Sequence, residues 1–226
     1  ILFARLSVFV GGFTLDAAES VCCARDAVSP VAAGQQDFLD SIAALLDHSI
    51  LRPVEETAGA RRFVMLEIMR EYAHEKLVAY GEDTALSERH ASHFLAFAEQ
   101  AEPLLWSAQQ HVWYRRLIAE QGNFRAALCW WRSSDSCAPV ARLGAALCWF
   151  WLKHGDLREE LPLLEWALAE IERRHAVTPP SVRVKALYSV ASGVSWLGDT
   201  DRARSLLEQC LEVGEEWVSW SQSCAI

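Results

Sequence analysis

Apolar positions recur mostly three and four residues apart along the chain, and that spacing predicts a mainly helical protein. Leu2, Leu6 and Phe9 share one helical face, which Gly11-Gly12 ends because glycine readily takes the left-handed cap. Thr14 opens a second short helix with Leu15, Ala18 and Val21 inward. Residues 26–35, with Pro30 and Gly34, read as a loop. Asp37 is expected to cap the next helix, whose stripe is Phe38, Leu39, Ile42, Leu45 and Leu46. Residues 50–54 and 62–66 flank a polar turn, EETAGA with Gly59, and read as a β-hairpin. Residues 66–80 are helical again until Gly81. Residues 1–80 therefore read as a winged-helix-like module of three helices, a small β-wing and one more helix.

From residue 82 to 226 the pattern carries no strand signal and predicts helices alone. Leu86, His90, Phe94, Phe97 and Ala101 trace one face. Ser107 with Gln110 is a capping-box pattern for a helix over 107–120, and Asp156 with Glu159 is another. Pro139 suits the first turn of a helix over 140–154. Pro179-Pro180 forces a loop that Ser181 closes by capping the following helix.

Three helix-to-helix turns look alike, at Gly122-Asn123, Gly155-Asp156 and Gly198-Asp199. The first two are 33 residues apart and the third follows after 43, with the double proline absorbing the excess. The tetratricopeptide period is about 34. Leu163-Leu164-Glu165 with Leu168 aligns with Leu206-Leu207-Glu208 with Leu211. In such a hairpin Gly reverses the chain, Asp or Asn caps the second helix, and a small residue such as Ala203 lets the helices approach. In the middle unit Glu160 takes the small position and Pro162 is expected to kink the helix, so that unit is degenerate or its second helix starts late. Residues 82–226 thus read as an α-helical solenoid of tetratricopeptide type.

Charge narrows the function. A formal net charge of −9 speaks against a broad phosphate-binding surface and against anionic membranes. No apolar run approaches the ~20 residues of a membrane span. The cysteines, seven in number and irregularly spaced with no CxxC, do not read as a disulfide framework, and a reducing cytoplasm suits them. The opening ILFARLSVF has neither an initiator Met nor a signal pattern, and WVSWSQSCAI has no stop device, so the chain is expected to be a piece of a longer protein.

Five stretches together resemble a known family: RLSVFVGGFTLDAAESVC (5–22), LDSIAALLDHSILR (39–52), RFVMLEIMREYAHEKL (62–77), RHASHFLAFAEQAEP (89–103) and EQGNFRAALCWW (120–131). The family is that of the large ATP-dependent bacterial transcriptional regulators of the STAND class, which often end in a LuxR-type DNA-binding domain. The resemblance implies an upstream nucleotide-binding domain holding ATP or ADP, then a winged-helix arm, then helical repeats that sense a protein or small-molecule inducer. No GxxxxGK[ST] loop and no second, basic helix-turn-helix occur in this chain, so neither ATP hydrolysis nor promoter recognition is assigned to its residues, and no cofactor is expected on it.

Candidate chemistry is sparse. A recognition helix over 37–49 would expose Asp37, Asp40, Asp47 and His48, whereas base readout needs Arg, Lys, Asn or Gln, which favours packing of the module on a neighbouring domain. Arg52, Arg61 and Arg62 on the wing are its cationic cluster, able to touch a phosphate but more simply read as solvating the hairpin. His90 and His93 lie three apart, but zinc wants three or four ligands, and His90 reads better as a hydrogen-bonded group beside Glu67 or Glu71. Adjacent Cys22 and Cys23 read as core packing, with redox sensing as the alternative if a thiolate titrates unusually low. No GxSxG, no HExxH and no paired carboxylates in an apolar frame suggest an enzyme.

Ten Trp residues are the strongest binding signal. If the helices over 140–154 and 182–197 are first helices of two repeats, Arg142, Trp149 and Lys153 line a concave face with Lys185, Tyr188, Ser192 and Trp196. Trp149 and Trp196 equally suit an inter-repeat core. Three readings follow. The first is a regulatory segment that binds a partner or inducer and relays to an ATPase domain outside the chain. The second is a winged-helix transcription factor that binds DNA directly. The third is a free-standing tetratricopeptide adaptor, for which residues 82–226 alone would keep full partner affinity.

Overall fold

A computed structural model describes residues 1–23, 35–57, 60–154, 157–174 and 178–223. The described residues are mainly helical with one small sheet, as the pattern predicts. The first segment is α1 (Leu2–Arg5), which tightens into a 3-10 turn over Leu6–Val8. Gly11 and Gly12 then hold φ at 83° and 105°. A short strand β1 (Phe13–Thr14) runs into α2 (Leu15–Cys22), where the Thr14 hydroxyl accepts the Ala17 N–H at 3.2 Å. The guanidinium of Arg5 closes the far end of α2 by donating to the Cys22 carbonyl at 2.7 Å, and it grips the Glu82 carboxylate through its other two nitrogens.

Helix α3 (Gln35–Asp47) starts earlier than the sequence suggested, so Asp37 lies inside its first turn rather than at the cap. Its buried stripe is Phe38 and Ile42, while Leu39 is exposed. The wing is β2 (Leu51–Thr57) and β3 (Ala60–Met65). The predicted loop around Pro30 and Gly34 and the turn glycine Gly59 lie outside the described residues. The sheet order is β1-β3-β2, all antiparallel, with Phe13 opposite Phe63 and Arg62 opposite both Thr14 and Val54. β1 was not legible as a strand: two residues have no periodicity, and they pair only because β3 is beside them. Helix α4 (Glu67–Ala79) follows and stops before Gly81, whose φ is 70°.

Beyond the wing come α5 (Asp83–Leu104), α6 (Gln110–Ala119) and α7 (Gln121–Ser133). Then come α8 (Cys137–His154), α9 (Leu157–Arg173), α10 (Pro180–Trp196) and α11 (Thr200–Ser223). Two expected caps are corrected. Ser107 accepts the Gln109 N–H at 3.1 Å but stands outside α6, which begins at Gln110. Ser181 is already inside α10, which starts on Pro180, a residue with no N–H to leave unsatisfied. Helix α9 continues through Pro162, and Glu160 is buried within it.

The chain forms two compact units. One comprises residues 1–97 and 106–130, the other residues 98–105 and 131–226. The first unit therefore reaches well past the boundary expected at residues 80–82. In the second unit α8 packs on α9 and α10, and α10 on α11. Gly144 of α8 lies where a Cβ would stand 1.9 Å from Leu164 Cδ2 of α9, so the close approach of this pair rests on glycine rather than on the position filled by Ala203. The turn at Gly198-Asp199 forms as expected: Gly198 has φ 94° and Asp199 accepts the Arg202 N–H at 3.2 Å. The Gly155-Asp156 turn, with its Asp156 cap, lies outside the described residues.

The Gly122-Asn123 turn is not a turn. The chain bends at Glu120, and both residues belong to the first turn of α7. A Cβ on Gly122 would stand 2.5 Å from the Val10 carbonyl oxygen, so the glycine serves close approach, not reversal. Asn123 is fully buried and acts as a tertiary clamp.

Candidate functional site

Each of the two units carries one candidate surface. In the second unit, α8 is apolar enough to bury Val140, Leu143, Leu147, Phe150 and Trp151. Its remaining side carries Arg142, Trp149 and Lys153, spaced seven and four apart. Arg142 and Lys153 are exposed and Trp149 is half-buried. The Lys153 ammonium lies 5.1 Å from the Trp149 ring centroid. Helix α10 buries Ala186, Leu187, Val190 and Val194, which leaves Lys185, Tyr188, Ser192 and Trp196 on the other side. Tyr188 is 49% and Trp196 78% exposed, Lys185 is exposed and Ser192 half-buried. All seven candidate residues thus lie on the less buried sides of their helices.

Two acidic residues missing from the sequence-based set complete this surface. Glu99 receives Arg142 through both Nε and Nη2 at 2.9 Å, and Glu102 receives Lys185 Nζ at 2.6 Å. They are three apart on α5, just before Pro103, and that spacing on one helical face was the available signal. Exposed pairs of this kind contribute at most about 1 kcal/mol, so they aim the cations more than they stabilise the unit. Cys148 and Ser189 lie close by, and burial pushes the Cys148 thiol upward.

In the first unit the recognition-helix position is acidic. Asp37, Asp40 and Asp47 of α3 are exposed, as is His48 just after it. Of the three wing arginines, Arg52 and Arg61 are exposed but Arg62 is 5% exposed. Its guanidinium pairs with Glu120 through both terminal nitrogens and donates to the Ala119 carbonyl at 2.9 Å. This corrects its reading as a solvated hairpin residue. Side chains alternate across a strand, so Arg62 points away from the face that holds Phe63 against Phe13. The end of α6 covers that second face at Arg62, while Val54 and Arg52 on the same face stay exposed.

Asn123 joins the same cluster. Its Oδ1 accepts the Val10 N–H at 2.8 Å, while Nδ2 donates to the Gly12 carbonyl at 2.9 Å and to Glu120 Oε2 at 2.7 Å. His90 Nε2 lies 3.1 Å from Asn123 Oδ1. An amide oxygen only accepts, so that imidazole nitrogen carries the proton. The partner of His90 is therefore Asn123, not Glu67 or Glu71; Glu67 is bonded to Arg70. Burial among Phe9 and Phe94 pushes the His90 pKa down to about 4 against the opposing pull of the Asn123 bond. His93 bonds Ser20 Oγ instead, at 3.2 Å. Cys22 and Cys23 are both free thiols, and burial raises both pKa values, opposite to the direction a redox-sensing thiolate needs.

The N-terminal part combines a three-helix frame with a hairpin wing and a third strand before α2. Residues 1–78 match the family model of the winged helix-turn-helix domain. The winged helix ends within α4 on that match. Over 223 residues, the winged helix included, the chain is 30% identical to each of three mycobacterial proteins, one from Mycobacterium bovis and two from strains of Mycobacterium tuberculosis. Each is named "Putative HTH-type transcriptional regulator". The similarity covers 95% of this chain but 24% of each relative, so the chain spans about a quarter of their length. No solved structure matches the chain. Among the described residues no helix is long and apolar enough to cross a membrane. The winged helix thus comes with an acidic α3 and with one of its three wing arginines already engaged.

Proposed function

We propose that the chain is a regulatory interaction segment of a transcriptional regulator. A partner protein or small-molecule inducer binds the side of α8 and α10 that carries Arg142, Trp149, Lys153, Lys185, Tyr188, Ser192 and Trp196. The winged helix acts as an arm toward a nucleotide-binding domain outside this chain, where ATP or ADP would reside. The observation that carries this reading is the side of α10: Tyr188 and Trp196, 49% and 78% exposed, share it with a lysine already aimed by Glu102. Large aromatic groups beside oriented cations are what hot spots of binding surfaces are made of. Binding would act by differential affinity for two states of the larger protein. A cytoplasmic setting suits the free thiols.

The alternative, direct DNA binding by the winged helix, is favoured by the domain match and by the printed names of the relatives. The electrostatics oppose it, because α3 offers carboxylates where the phosphate backbone needs cations. Titration of the chain against a random DNA duplex at low salt separates the two readings. The proposal expects no binding. Micromolar binding that weakens steeply with added salt would replace it with the alternative.

A further inference from the structure

We propose that Glu120 and Asn123 form an autoinhibitory latch, which holds the wing in place and occupies Arg62 as a phosphate would. Positions 120 to 123, at the bend between α6 and α7, reach three separate parts of the winged-helix unit. Glu120 holds β3 through Arg62. Asn123 holds the segment before β1 through Val10 and Gly12, and it meets α5 through His90. Gly122 seats the bend directly on the Val10 carbonyl.

The cluster is arranged to open as a whole. Glu120 Oε2 is shared by Arg62 and Asn123, and Asn123 Oδ1 is shared by Val10 and His90. Loss of Glu120 leaves Arg62 with the Ala119 carbonyl as its remaining bond in the cluster, and loss of Asn123 takes the partner that Val10, Gly12 and His90 share, so opening at one residue weakens the hold of the other. A buried ion pair is a poor device for stability alone, since an apolar pair of similar volume does as well or better. Its use is to select one arrangement, and here the arrangement selected is a fixed wing.

The latch also controls charge. Arg52 stands opposite Val64, which places it on the same sheet face as Arg62, diagonally across the strands. Arg52 is exposed, while the Arg62 guanidinium is bound in the fork geometry that carboxylate and phosphate share. Release of Glu120 would give the wing a second cation on that face, adding one phosphate contact. Phosphate contacts position a protein on a duplex without reading its sequence, so an acidic α3 does not exclude this binding.

The test uses the full chain with Glu120→Gln and, separately, Asn123→Ala. Hydrogen exchange is followed in β2 and β3, with α4 as the internal reference, and affinity for a random DNA duplex is measured at low salt. The latch predicts at least tenfold faster exchange in the wing with α4 unchanged. It predicts duplex affinity at least tenfold above the parent in both variants, and loss of that gain when Arg62→Ala is added to Glu120→Gln. The paired variant Arg62→Leu with Glu120→Leu, which keeps apolar cover, should fold and gain no affinity. Unchanged wing exchange, equal acceleration in α4, or a freed wing with parental affinity each overturns the latch. The comparison is with the parent chain, so parental duplex binding would sink the partner-binding reading above and leave this one standing.

Discussion

The carbonyl oxygen of Val10 occupies the space that a Cβ on Gly122 would need, 2.5 Å away, and the Val10 carbonyl carbon is 3.0 Å from the same point. Both obstacles are backbone, so neither can rotate aside. Gly122→Ala gains roughly 1 kcal/mol of helix propensity, but overpacking against fixed atoms costs about 1–3 kcal/mol or more. The second effect should win. Urea unfolding is expected to show a lower midpoint for Gly122→Ala; a midpoint raised by the helix gain would contradict the close approach.

His90 makes stability depend on pH. Its folded pKa of about 4 lies below the ordinary 6.5, so between those values the unfolded chain binds the extra proton. Stability should therefore rise with pH across this window and fall on acidification from 6.5 towards 4, by up to about 3 kcal/mol in total. His93, also lowered by burial, adds in the same direction. Glu82, held low by the Arg5 bond, acts only at the acid end. Unfolding free energies at pH 5 and 6.5 should differ less in His90→Gln than in the parent. An undiminished slope would remove His90 from the account.

Two tryptophans on different terms give a direct contrast. Trp131 is 1% exposed and Trp196 is 78% exposed. Trp131→Ala should cost about 3–5 kcal/mol, whereas Trp196→Ala should change stability by less than about 0.5 kcal/mol. If Trp196→Ala destabilises as strongly as a core change, the side chain is structural and its candidacy for partner binding fails.

Thr14 sits at the junction of β1 and α2 and caps the helix through Ala17. Thr14→Ala is expected to lower stability by about 1 kcal/mol, and Thr14→Ser, which keeps the oxygen, should restore most of it. Equal losses in both would mean that the strand, not the cap, sets the requirement.

Local signals were legible and distant ones were not. Thr14, Gly81, the hairpin and Gly198-Asp199 act on neighbours a few residues away, so sequence alone located them. Gly122-Asn123 looks like the other helix-to-helix turns because Gly and Asn share that local chemistry. What separates it is Val10, more than a hundred positions earlier in the chain. Arg62 was misread for the same reason: the carboxylate that buries it is 58 residues away. On α8 and α10 the repeat pattern named seven candidates for a concave face, and it could not show that Glu99 and Glu102 hold two of their cations.

The cover that the end of α6 gives Arg62 bears on how the polypeptide can be divided. An expression boundary drawn after residue 80 would take the whole sequence-defined module, yet it would remove Glu120, Asn123 and the last turn of α6. The Val10 amide, the Gly12 carbonyl and the Arg62 guanidinium would each lose their partner, and the apolar surface that α5, α6 and α7 bury in this unit would be bared. Such a fragment should express poorly or self-associate, while one extended through residue 130 should stay monodisperse.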